Sequence, residues 1–182
     1  RIHVMEKMNG CAIYGADLHL PHMLYAKGVV TGCPYGEIRA IHTEEALNIP
    51  GVRGVYTAED IPGHNGFGAF CKDEPILAER YVKFAGDVVA VVVADSPVLA
   101  EQGAKAVRVE LTPLKPVLTV EEALSGEIVI NPAYPDNLCA SQHLIKGDAA
   151  AALAQAEVVV EETYETAWVE HAYLCLLYTS DA

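Results

Sequence analysis

Gly86-Asp87-Val88-Val89-Ala90-Val91-Val92-Val93-Ala94-Asp95-Ser96-Pro97-Val98-Leu99-Ala100-Glu101-Gln102-Gly103-Ala104-Lys105-Ala106-Val107-Arg108-Val109-Glu110-Leu111 carries strand, helix and strand signals in one run. Val88 to Ala94 is seven apolar residues, five of them valine, enclosed by two aspartates. That length and branching predict a central strand covered on both faces rather than a helix. Asp95-Ser96-Pro97 stops it: a serine side chain accepts from the orphan amides of a first helical turn, and proline at the first helical position gives up no hydrogen bond. The helix is expected to run to about Ala106. Ala100, Ala104 and Val107 recur at i, i+4 and i+7, a narrow stripe of small residues that permits close approach to a sheet. Val107 to Leu111 alternates apolar and polar and reads as a half-buried strand. Full burial of a valine contributes about 1.5–3 kcal/mol, so a polar change in the middle of the first strand, at Val91, is expected to threaten the whole fold.

The totals narrow the function classes. Of 182 residues 52% are hydrophobic, which suffices for a core. Twelve Lys and Arg against 25 Asp and Glu give a net charge of −13. No basic run interleaves with aromatics, so neither nucleic acid nor an anionic membrane is an expected partner. No apolar segment reaches bilayer length and the start Arg1-Ile2-His3-Val4-Met5 lacks the apolar core of a signal peptide, which leaves a soluble, cytoplasmic protein as the expectation. Arg rather than Met at position 1 suggests a cut start. Cys11, Cys33, Cys71, Cys139 and Cys175 are odd in number, scattered and without metal-ligand spacing. They suit reduced thiols better than a disulfide framework.

Upstream, Leu20-Pro21-His22-Met23-Leu24 is expected to open a strand ending near Thr31, and Glu37 to Ile41 a returning strand beside it. Thr43 is placed to cap a short helix carrying Glu44 and Glu45 in its first turn, with Pro50-Gly51 ending it. Val52 to Tyr56 reads as another strand. Gly63-His64-Asn65-Gly66-Phe67-Gly68 invites a phosphate-loop reading, but no apolar strand feeds it and no helix follows, so it reads as a surface loop. Pro75 to Phe84 returns the chain to the central strand. Thr119 to Leu124 is a short capped helix, and 126–142, with Asn131, Pro132, Pro135 and Asn137, reads as a linker. Gly147-Asp148 opens an Ala-rich helix to about Ala156, and Val158 to Val169 reads as a β-branched, alternating segment.

These pieces together resemble the amino-terminal hammerhead domain of the molybdenum hydroxylases, the family of xanthine dehydrogenase and aldehyde oxidoreductase. The matching residues are Lys7, Gly10, Ala12, Tyr14 and Asp17; Met23-Leu24; Pro50-Gly51-Val52, Val55, Thr57-Ala58 and Asp60-Ile61-Pro62; Val82, Phe84, Gly86, Val89-Ala90, Val92 and Ala94; Glu122-Ala123; Gly147-Asp148; and His171-Ala172-Tyr173-Leu174. The chain departs from the family's usual residues at Thr31-Gly32, Glu37, His42 and Asp87. The resemblance implies an enzyme that hydroxylates an N-heterocycle or aldehyde at a molybdenum–pterin centre, with electrons leaving through iron–sulfur clusters and often FAD on other domains or subunits. The general base and pterin-contacting loops of the family lie downstream of this stretch. The resemblance therefore assigns no catalytic, cofactor-binding or metal-binding residue here, and makes this region scaffold and interdomain surface, inactive by itself.

The fold class implied is mixed α/β (α+β), with a hammerhead domain over 1–125, a linker over 126–146, the beginning of a molybdopterin-binding domain over 147–174 and a foreign tail over 175–182. That tail, Cys175-Leu176-Leu177-Tyr178-Thr179-Ser180-Asp181-Ala182, resembles a translation of the transposase adapter used in sequencing libraries, TGT CTC TTA TAC ACA TCT GAC GCT. It is excluded from fold reasoning as an artefact. The other candidates read blandly. His19 and His22 are three apart but flank Leu20-Pro21 without a third ligand. Glu161 and Glu162, on a strand, would face opposite ways. Glu170-His171 could face a cofactor in a complete protein, and Trp168 reads as packing. Two function classes remain: the amino-terminal part of a molybdenum hydroxylase, with an exposed apolar surface near Val158 to Leu174 for the missing domain, or a non-enzymatic acidic binding or assembly module complete as written. A nucleotide-binding enzyme would depend on the Gly63 to Gly68 loop.

Overall fold

The structure, a computed structural model, describes residues 4–68, 72–167 and 169. It has mixed helix and strand content with two small sheets and divides into two compact units, residues 20–139 and the two ends of the chain. In the larger unit β1 (Tyr25–Val30), β3 (Val52–Thr57) and β5 (Val88–Ala94) form one antiparallel sheet in the order β1-β5-β3. β2 (Gly36–His42), β4 (Tyr81–Val82) and β6 (Arg108–Pro113) form a second, ordered β4-β2-β6.

The expected central strand is central. Its cover is uneven, however: Val89, Ala90, Val92 and Ala94 are buried, whereas Val88, Val91 and Val93 are half-buried. Val92, fully buried, is therefore the sensitive position, not Val91. Helix α3 (Pro97–Ala106) covers the buried face. Ser96 accepts from the Leu99 amide at 3.3 Å, and Pro97 occupies the first turn. Besides Ala100, the helix buries Gly103, whose Cβ, were it present, would lie 2.7 Å from Val92 Cγ1 and 3.2 Å from Val52 Cγ2. Glycine lets the helix seat directly on two strands. After Val107 the chain alternates as expected, Val109 and Leu111 turned inward, but β6 joins the second sheet rather than that of β5.

Other expectations are corrected. β1 and β2 are not neighbours, since the short loop between them carries the chain from one sheet to the other and β1 pairs with β5 instead. β1 starts at Tyr25, because Pro21-His22 forms a turn in which His22 takes φ 60°. Helix α2 (Glu44–Leu47) lies where expected, but Thr43 makes no side-chain cap: its backbone is helical and its carbonyl, not its hydroxyl, accepts from Leu47. α4 (Val120–Ser125) is capped by Thr119, which accepts from the Glu122 amide, while Glu122 accepts from that of Leu118.

In the smaller unit, α1 (Val4–Met8) precedes a 3-10 turn at Gly15–Asp17, and α5 (Ala149–Gln155) is capped by Asp148 through the Ala151 amide at 2.9 Å. Residues 158–167 form no strand; an alternating pattern becomes a strand only with a ladder partner, and none is present among the described residues. Their apolar side chains are exposed, Val158, Val159, Val160 and Tyr164 among them. Trp168, Glu170, His171, Cys71 and the tail 175–182 lie outside the described residues.

Gly103→Leu is expected to lower the urea midpoint, at a cost of about 3 kcal/mol, because neither β-branched valine beneath it can move aside. Gln102→Leu, one position along on the exposed face, should leave the midpoint nearly unchanged. Equal midpoints for the two variants would contradict the seating described.

Candidate functional site

Several of the residues that carry the sequence motifs, and Asp87 where the chain departs from them, prove to fix turns. Asp17 accepts from the Tyr14 amide at 3.0 Å, and Asp60 from the Thr57 amide at 2.7 Å and the Thr57 hydroxyl at 3.2 Å. Asp87, buried, accepts from the amides of Lys83 and Phe84 and closes the turn into β5. Gly51, at φ +93°, holds a conformation that L side chains rarely adopt, and its carbonyl accepts from the Asp95 amide at 2.9 Å. The Gly-rich loop is organised the same way. Asn65 donates to the Leu77 carbonyl at 2.7 Å and accepts from the amides of Ile76 and Leu77, so its side chain pins the loop to the returning chain and does not present a cradle of amides to phosphate.

Two of the concave surfaces among the described residues are set apart by the side chains that build them. The first is an open groove of about 710 Å³ lined by Leu20, His22, Met23, Leu24, Tyr25, Arg53 and Asp95. Arg53 grips Asp95 with two parallel hydrogen bonds of 2.7 and 2.8 Å, tying β3 to the end of β5. The Arg53 hydrogen bond, opposed by slight desolvation and assisted by its charge, holds the Asp95 carboxyl below its ordinary range. A carboxylate held ionised in this way is a poor proton donor, so the pair is a clasp. His22 lines this groove, and His19 belongs to the smaller unit.

The second is an apolar cleft of about 410 Å³, walled chiefly by Val117, Ala123, Ile130, Tyr134 and Leu138. Asn137, with φ 56°, builds it: the side chain donates to the carbonyls of Ala123 and Ile128 at 2.9 and 2.8 Å and accepts from the Ile130 amide at 3.2 Å. Residues 126–142 read as a linker in the sequence because one side chain rather than a periodic pattern organises this stretch.

Among the described residues no group of three or more His, Cys, Asp or Glu is placed to hold a metal, and no helix is long and apolar enough to cross a membrane. Cys11 and Cys139 are exposed, Cys33 half-buried, and all three are free thiols. Glu161 and Glu162 are exposed and lie on no strand.

A family model described as aldehyde oxidase and xanthine dehydrogenase, a/b hammerhead domain, matches residues 9–115, more than half of the chain. The chain belongs to this family. The large molybdopterin subunit of nicotinate dehydrogenase from Eubacterium barkeri is 35% identical over 176 residues, 96% of this chain and 41% of that protein. The xanthine dehydrogenase molybdenum-binding subunit of Escherichia coli O157:H7 is 30% identical over 96% of this chain and 24% of its own length. Among solved structures, aldehyde oxidoreductase from Desulfovibrio gigas superposes with a TM-score of 0.70 at 33% identity, over 74% of this chain and 16% of that one. Quinoline 2-oxidoreductase from Pseudomonas putida 86 gives 0.68 at 31% identity, over 73% of this chain and 18% of that one. The chain thus spans less than half the length of these relatives.

Where this hammerhead domain departs from the family's usual residues, it supplies its own partners. Glu37 meets Arg39 at 2.8 Å and Arg80 at 3.4 Å. His42 meets Glu110 at 2.9 Å, and Arg108 also reaches Glu110, across paired β2 and β6. Thr31 accepts from the Cys33 amide at 3.2 Å and so turns the chain.

Because the folded-state pKa of Asp95 is depressed, its stabilisation is present above the unfolded-state value near 4 and is lost as the pH falls through the folded one. Arg53→Met should therefore melt below the parent at pH 6, and the two melting temperatures should converge as the pH falls through the depressed folded-state value. Asn137→Ala should speed proteolysis within residues 126–139 while leaving cleavage around β5 unchanged; uniform cleavage would contradict the role given to Asn137.

Proposed function

We propose that this chain is the amino-terminal part of the large subunit of a molybdenum hydroxylase, which hydroxylates an N-heterocycle or aldehyde with oxygen derived from water. The observation that carries this reading is the match over 96% of the chain to a molybdopterin subunit of which it spans only 41%. The molybdenum–pterin cofactor belongs to the whole protein and supplies the site of hydroxylation there. The described residues offer no metal-holding cluster for it, so no step is assigned to a side chain of this chain. What these residues do is pack and position. Residues 1–125 act as scaffold, 126–146 as connection, and 147–174 as the entry to the molybdopterin-binding domain.

Exposed Val158, Val159, Val160, Tyr164 and Val169 support this division, since an apolar run open to water marks a surface that another part of the protein covers. The partners are that downstream domain, subunits or domains carrying iron–sulfur clusters and FAD, and a small-molecule substrate, in the cytoplasm. Residues 175–182 are adapter-derived and have no role. The test is to amplify and sequence the source gene across the codon for Leu174. A frame that runs on for several hundred residues, without the adapter codons, and whose product copurifies with molybdenum is the expected result. A native stop after Ala182 would replace this reading with the acidic binding module.

A further inference from the structure

We draw no further inference here: the strongest candidate, the apolar cleft walled by Val117, Ile130 and Leu138 beside the exposed face of α4, carries nothing, because cover of that face by the rest of its own subunit is an established property of the family and nothing in the structure shows another occupant.

Discussion

The seating of Gly103 over Val92 and Val52 is the constraint on which the larger unit depends. Helix α3 leaves the sheet containing β5 and delivers the chain to β6 in the other sheet, so it touches the centre of one and fixes the start of the other. Any side chain larger than hydrogen at 103 would lift the helix, expose Ala90, Val92 and Ala94, and displace Val107 from the cluster that includes Val82 and Val89. Packing at this density leaves no spare volume to absorb such a shift.

Around that core, polar side chains do local work at each change of direction. Asp17, Asp60, Asp87, Glu122 and Asp148 each accept from a backbone amide within four residues. Asn65 and Asn137 do so over longer loops, each satisfying backbone groups that would otherwise have no partner. Part of the strong negative charge is thus structural. The motifs that tie this chain to its family lie at some of these turns, such as Asp17, Asp60 and Asp148, and in the buried strand β5, which is why they identify a fold without naming a substrate.

Local signals were legible in the sequence and pairings were not. Val88 to Ala94, the Ser96-Pro97 cap, the Thr119 and Asp148 caps and the alternation after Val107 all lie where residue chemistry puts them. The partner of β1 differs from the expected one because a short connection usually joins neighbours, whereas Thr31, by accepting from Cys33, turns the chain into a different sheet. The weight of Gly103 is not legible, because nothing in an isolated glycine of a helix pattern marks the valines that lie beneath it. Thr43 resembled a cap by residue type alone, and its helical backbone prevents it from acting as one. The segment after Val158 has a strand's pattern and lacks a strand's partner.

The antiparallel pairing of β5 with both β1 and β3 has a consequence for how the chain is made. Synthesis releases β1 and β3 well before β5, and among the described residues neither has any other strand partner. Until Ala94 has left the ribosome, both strands wait with apolar faces and open edges, exposed to pairing with other chains. The order of translation therefore makes the long stretch between Val30 and Val88 a period of vulnerability, ended by the emergence of a single strand.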